Sequence, residues 1–266
     1  MDLPDEVYEL IRMALAEDIG PGDVTAEFFV PAAAGAQAVI IAKESGVLAG
    51  VALAEAVFKA VDPAISLKVN MQDGTALAVR DVVMELAGPA RSILTAERTA
   101  LNFLQRLSGI ATQTAAYVAA VAGTGTRILD TRKTTPGWRW LEKAAVRAGG
   151  GVNHRTGLYD MAMVKDNHLP KAGGRAGLQA GIDALQQAHP GMKVELEADT
   201  VDQVRQFLTL RGVSVILLDN MSLEDMHCSV ELAQGTGVKL EASGGITLVR
   251  LPRIAATGVD FSARVP

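Results

Sequence analysis

The chain has 266 residues, 49% hydrophobic and 21% charged, with a formal net charge of −5. That length supports one large domain or two with a substantial core, and the composition excludes disorder and low complexity. The acidic balance argues against a general nucleic-acid binder, and apolar stretches such as Ala36 to Ala42 and Val213 to Leu218 are too short to cross a bilayer. The single cysteine, Cys228, excludes an internal disulfide or a zinc site of several thiolates. The acidic, proline-containing start has no signal-peptide pattern, so the expected location is the cytoplasm.

Taken in chain order, Val7, Leu10, Ile11 and Ala14 recur at helical spacing and predict a first helix ended by Gly20 and Pro21. An apolar run from Ala38 to Ala42 follows, then a turn at Gly46 and a helix carrying Ala54, Val57 and Phe58. Strand-like pieces at Ser66 to Val69 and Val82 to Leu86 complete a separate α+β unit. From Thr95 a helical pattern runs through Leu101, Leu104 and Leu107, pauses at Gly109 and resumes to Val121 as a bridge to the second part.

Beyond that bridge, short β-rich runs alternate with amphipathic helices. The strand candidates are Arg127 to Asp130, Met161 to Lys165, Lys193 to Glu197, Val213 to Asp219, Val238 to Ser243 and Val259 to Phe261, with a further piece near Gly151 to Asn153. Alternation of this kind implies parallel strands joined by crossover helices. Six or seven units without a Gly-x-Gly-x-x-Gly turn favour an α/β barrel over an open doubly wound sheet.

Polar residues mark the strand ends. Asp130 with Arg132 and Lys133, Lys165, Glu197, Asp219 and Ser243 all fall at or just past the carboxyl ends of predicted strands, which converge on one rim in a parallel barrel. Between Arg127 and Lys165, eight basic residues stand against three acidic ones, which suits a small polyanion. Arg139, Lys143 and Arg147 read as a solvated helix face, whereas Arg132, Lys133, Arg155 and Lys165 sit beside glycine turns or strand ends and can hold carboxylates or phosphates. Glu197 and Asp219 are oxygen donors suited to Mg²⁺. Ser243-Gly244-Gly245, between a strand and a helix, has the makings of an anion nest. His154 reads either as a packed turn residue or as a substrate contact, and Trp138 and Trp140 as helix packing. A rival chemistry would use Lys165 as a Schiff-base nucleophile.

Longer strings add to this reading. The stretches from Glu17 to Thr25, ALNFLQRLSGIAT from Ala100, LDTRKTTPG from Leu129, GGGVNHRTGLYDM from Gly149, VKDNH from Val164, LLDNM from Leu217, LEASGGIT from Leu240 and Thr257 to Asp260 together resemble quinolinate phosphoribosyltransferase over nearly the whole chain. The resemblance implies an N-terminal α/β-sandwich domain, here residues 1–104, and a C-terminal seven-stranded α/β barrel, residues 105–266. It also implies a homodimer in which the sandwich of one subunit covers the barrel mouth of the other. The implied reaction joins quinolinate to phosphoribosyl pyrophosphate with Mg²⁺ and yields nicotinate mononucleotide, pyrophosphate and carbon dioxide; the alternatives are an impaired homologue that binds pyridine carboxylates, or transfer to another acceptor ring.

By the same resemblance, Arg132, His154, Arg155 and Lys165 match positions that hold the pyridine dicarboxylate, and Arg98 matches an arginine supplied by the partner subunit. Lys133, Glu197 and Asp219 match the group that serves phosphoribosyl pyrophosphate and magnesium. Ser243, Gly244 and Gly245 match the turn for the ribose 5-phosphate. The family continues after Val-Asp-(Tyr/Phe) with a Ser-x-Gly-Ala-Leu-Thr-His-Ser-like loop, whereas this sequence reads Phe261 to Pro266. The expectation from that departure is weaker binding of the phosphate.

Overall fold

The computed structural model describes residues 3–165, 167–168 and 173–263 and divides the chain into two compact units. The first comprises Met1–Ala115 and Thr135–Gly150, the second Ala116–Thr134 and Gly151–Pro266.

In the first unit, α1 (Asp5–Ile19) buries Val7, Ile11 and Leu15, one face at a spacing of four, and stops at Gly20, whose φ of 54° suits a residue without a Cβ. α2 (Val24–Phe29) starts where the Asp23 carboxylate accepts the Ala26 N–H at 2.9 Å. Then come β1 (Gly35–Ile41), β2 (Gly46–Val47), α3 (Val51–Val61), β3 (Ser66–Val69), β4 (Ala76–Leu77) and β5 (Val82–Pro89). The longer strands form an antiparallel sheet in the order β1-β5-β3, and β2 pairs with β4, so Gly46 belongs to a short strand rather than to the expected turn. Leu53, Val57, Phe58, Ile65, Met84 and Phe103 fill the core.

α4 (Ala90–Ala120) is one unbroken helix of 31 residues. The expected pause at Gly109 does not occur, because packed side chains on both sides, Leu107 and Ala111 among them, outweigh the ~1 kcal/mol that glycine costs a helix interior. The division between the units falls within this helix.

α5 (Arg139–Ala148) groups with the first unit, where Leu141 and Ala145 enter the core. The basic face read as solvated is not uniformly so, since Lys143 is only 3% exposed. Sequence spacing identifies a face but not what covers it. The tryptophans pack as expected, with Trp138 stacked on Phe103 at 5.0 Å between ring centroids and the Arg106 guanidinium over the Trp138 ring at 5.4 Å. Arg106 also pairs with Glu142 at 3.0 Å.

The second unit carries β6 (Arg127–Leu129), β7 (Ala162–Val164), α6 (Gly174–Ala188), β8 (Val194–Ala198), α7 (Val201–Phe207), β9 (Val215–Asp219), α8 (Leu223–Ala233), β10 (Lys239–Ser243), α9 (Leu251–Ala255) and β11 (Phe261–Ala263). Its strands are parallel throughout, in the order β6-β11-β10-β9-β8-β7. The expected extra strand is a single bridge, Val152 to Leu129, beyond β6, so a seventh strand exists only as that bridge among the described residues. Val194, Leu196, Ala198, Ile216, Leu218, Leu240 and Ala242 belong to the apolar core, whereas the alternate residues Glu197, Leu217, Asp219, Glu241 and Ser243 line a pocket. Period-two alternation thus separates a greasy outer layer, covered by helices, from a polar interior. Among the described residues no helix is long and apolar enough to cross a membrane.

Candidate active site

The pocket lies at the carboxyl ends of the parallel strands of the second unit and has a volume of about 740 Å³, a size that takes small-molecule ligands. Arg132, Lys133, His154, Arg155, Lys165, Glu197, Asp219, Ser243, Gly244 and Gly245 all line it. Ten of the eleven site residues expected from sequence therefore meet in one place. The other, Arg98, is exposed on α4 in the first unit and does not line this pocket.

Asp130 organises the first wall. It is 2% exposed, and its carboxylate accepts the side-chain amide of Asn153 and the backbone N–H of His154, the latter at 2.8 Å. Backbone bonds between Val152 and both Ile128 and Asp130 complete the stitch, which ties the Asn153-His154-Arg155 turn to β6. Arg155 continues that turn, and Asp160 folds the next residues by accepting the N–H groups of Thr156 and Gly157 at 2.6 and 3.1 Å. Burial, then the nearby Arg132 guanidinium, push Arg155 below its ordinary value, since two like charges share the pocket.

The opposite wall mixes signs. Lys165 Nζ reaches Glu197 Oε2 at 3.1 Å, and Asp219 Oδ2 accepts from Asn220 Nδ2 at 2.9 Å. Asn220 holds a left-handed φ of 51°, tolerable for asparagine, and sits against Gly244. A Cβ at Gly244 would lie 2.2 Å from Asn220 Oδ1, and Gly244 and Gly245 have φ of 82° and 59°. Only glycine fits this turn, which leaves bare backbone at the pocket wall. The expected helix start is displaced: α9 begins at Leu251, and Arg250 closes the turn instead by donating to the Gly245 carbonyl at 3.0 Å. Arg264 to Pro266, where the sequence leaves the family pattern, lie outside the described residues.

The chain matches family models described as quinolinate phosphoribosyl transferase N-terminal domain over residues 23–108 and C-terminal domain over residues 110–264. The chain belongs to the quinolinate phosphoribosyltransferase family. It is 44% identical over 254 residues to a probable carboxylating nicotinate-nucleotide pyrophosphorylase of Synechocystis, covering 94% of this chain and 84% of that protein. It is 41% identical to a decarboxylating quinolinate phosphoribosyltransferase of Nicotiana glauca, covering 95% and 76%. The nicotinate-nucleotide pyrophosphorylase structure from Francisella tularensis superposes with a TM-score of 0.92 at 40% identity, over 98% of this chain and 91% of that one.

Within this phosphoribosyltransferase, sequence reasoning passed over two buried carboxylates, of which Glu241 lines the pocket. Glu195 and Glu241 are 0% and 2% exposed, and both approach His154 Nε2, at 3.0 and 3.4 Å. Their signal was the strict alternation in Val-Glu-Leu-Glu-Ala and Leu-Glu-Ala-Ser, which aims every second residue inward. Arg250 had no comparable signal. Of the oxygen donors, Glu197 and Asp219 suit Mg²⁺, since they sit on neighbouring strands in an open pocket where the ion could keep waters and meet substrate phosphates. His154, Glu195 and Glu241 also cluster as potential ligands. Their enclosure and nitrogen donor fit that ion poorly, and they already offset one another's charge.

Proposed function

We infer that the chain transfers the phosphoribosyl group of phosphoribosyl pyrophosphate to quinolinate with loss of carbon dioxide, giving nicotinate mononucleotide and pyrophosphate for NAD synthesis. The observation that carries this reading is the pocket that gathers Arg132, His154, Arg155 and Lys165 beside the carboxylates Glu197 and Asp219 and the bare Ser243-Gly244-Gly245 turn. Four cationic groups suit a small dicarboxylate, and the glycine turn suits a phosphate.

In this reading Arg132, Arg155, Lys165 and His154 grip the two carboxylates and aim the ring nitrogen at the ribose carbon. Ser243, Gly244 and Gly245 hold the 5-phosphate, while Lys133 stands by the departing pyrophosphate. Glu197 and Asp219 would hold Mg²⁺, which when bound neutralises phosphate charge. As the bond from ribose carbon to pyrophosphate breaks, the ring nitrogen forms its own bond to that carbon. The resulting pyridinium takes up the electron pair released when the adjacent carboxylate leaves as carbon dioxide, and a proton replaces it on the ring.

The Schiff-base alternative for Lys165 calls for a desolvated amine in an apolar pocket. Lys165 is instead ion-paired, and its side chain is 43% exposed.

We also propose a cytoplasmic homodimer with shared sites, in which residues 1–104 cap the partner's barrel, residues 105–266 carry the chemistry, and Arg98 reaches the partner's pocket. Its support is the exposure of Arg98 on α4, away from the residues that line the pocket. Incubation with quinolinate, phosphoribosyl pyrophosphate and Mg²⁺ tests the activity: nicotinate mononucleotide and carbon dioxide should form in equal amounts. Folded protein that yields neither would overturn the assignment.

A further inference from the structure

Two glutamates that this chemistry does not use are among the most deeply buried polar groups of the second unit. Glu195 is 0% and Glu241 2% exposed. They stand on β8 and β10, which are not neighbours, because β9 runs between them. Glu195 pairs in register with Val215 and Glu241 with Leu217, so the two carboxylates converge from opposite sides of β9 on one imidazole. Glu195 Oε2 lies 3.0 Å from His154 Nε2, and Glu241 Oε2 lies 3.4 Å away, in ion-pair range. Glu195 Oε1 and Glu241 Oε2 are both buried with no hydrogen-bond partner among the described residues, so Glu241 acts on the ring through its charge.

Burying carboxylates here carries a desolvation penalty that apolar residues of the same volume would avoid. The return has to be sought at His154. Its backbone N–H is held by Asp130 at 2.8 Å, so the residue is fixed from β6 by its main chain and from β8 by the hydrogen bond of its ring to Glu195, with Glu241 of β10 in ion-pair range. The charged groups around it among the described residues include Glu195, Glu241 and Asp130, with Arg155 next in sequence and Arg132 close to Arg155. Two carboxylates against one ring edge favour an imidazolium over a neutral ring. His154 also lines the pocket assigned above to the pyridine dicarboxylate.

We propose that Glu195 and Glu241 are positioning residues, which clamp His154 in its doubly protonated form so that it presents a fixed positive charge to an aromatic dicarboxylate in the pocket. The inference rests on the quinolinate reading for the identity of that ligand and on geometry for the clamp itself.

The electrostatics point the same way. Burial alone would push His154 down, but its hydrogen bond to Glu195 and the close approach of Glu241, with their charges, outweigh burial and raise it to about 9. A ring so held stays charged through neutral pH. A lone imidazole, titrating near 6.5, would lose its proton across the same range.

The test combines ring NMR of His154 with calorimetric titration of quinolinate, between about pH 6 and pH 8, on the full chain and on Glu195→Gln, Glu241→Gln and the double variant. Glutamine keeps the shape, and at position 195 a hydrogen-bond acceptor, but removes the charge. In the unaltered chain the ring should stay protonated throughout, and quinolinate affinity should change far less than in the double variant, the small change coming from Glu241, which burial pushes up to about 7. In the double variant the ring should titrate at or below about 6.5, and affinity should fall by about tenfold from pH 6 to pH 8. A purely structural role would lower affinity equally at both pH values. An unchanged pH profile in the folded variants overturns the clamp, as does a His154 ring in the unaltered chain that titrates near its ordinary value, which needs no variant to fold. Absence of quinolinate turnover would sink the functional reading alone, since the ring titration requires no ligand.

Discussion

Lys165 and Glu197 are joined by an ion pair of 3.1 Å across the pocket mouth. This contact links two groups with separate assignments, a cation for the acidic ring and a carboxylate for the metal. Neither can be altered without disturbing the other, because removal of one partner leaves the second charge to find new company.

It follows that Glu197→Ala and Asp219→Ala should behave differently. Asp219→Ala is expected to raise the Mg²⁺ and phosphoribosyl pyrophosphate requirements about ten- to a hundredfold, in line with loss of a charged interaction of about 1.5–3 kcal/mol, and to leave quinolinate affinity intact. Glu197→Ala should change both. Calorimetry with quinolinate alone, beside KM for phosphoribosyl pyrophosphate, separates the two, and equal quinolinate affinities would remove the ion pair's significance.

A monoacid should be a poor substitute for quinolinate. Arg132, His154, Arg155 and Lys165 line one pocket, and if they hold the dicarboxylate as proposed, nicotinate would leave cationic groups desolvated without a partner, which is how a polar site rejects an analogue. The expected result is a kcat/KM for nicotinate lower by at least about a hundredfold; comparable values would contradict the assignment of these four residues.

The contribution of the His154 and Glu241 cluster to stability should fall as pH rises from about 5 to about 9. Burial pushes Glu241 up to about 7, and His154 is raised to about 9 by the two glutamates against the effect of burial. Both folded-state values exceed the unfolded ones, so the folded chain holds more protons. The stabilisation is complete below the unfolded values and is lost as pH passes through the folded ones, first near 7 and then near 9. Chemical denaturation at about pH 5, 7 and 9 should show this decline, and Glu241→Gln should flatten its lower part.

Gly244→Ala should lower the melting temperature and weaken phosphoribosyl pyrophosphate binding. Gly235→Ala is the control. Both glycines have left-handed φ, 82° and 75°, but nothing lies within 4 Å of a Cβ at Gly235, whereas a Cβ at Gly244 meets Asn220. The backbone cost of about 1–3 kcal/mol is common to both, so the excess at Gly244 reports the clash, and similar melting temperatures would rule the clash out.

Shared sites predict complementation. Arg98→Ala and Lys133→Ala should each be inactive, and mixing them under conditions of subunit exchange should restore part of the activity, up to about a quarter if exchange is random and each mixed dimer keeps one intact site. No recovery after verified exchange would argue for sites built within one chain.

What could be read from sequence followed from periodicity and from strand-end chemistry. The alternation of β8, β9 and β10 with helices fixed the parallel order, and polar residues at the strand ends met in one pocket because a parallel sheet brings those ends to one side. The seventh strand was harder to judge, since Gly151 to Asn153 contributes a single bridge held by the Asp130 side chain, a contact no local pattern announces.

By itself, then, the sequence determined the family, the two-part α/β architecture, and most of the residues that line the pocket, because these depend on local spacing and on long matching strings. Only the tertiary structure decided which charges offset one another. The pairing of Lys165 with Glu197, the convergence of Glu195 and Glu241 on His154, and the fit of Gly244 against Asn220 join residues 24 to 87 positions apart in the chain. Burial and electrostatic partnership are properties of distance in space, and separation along the chain does not encode it.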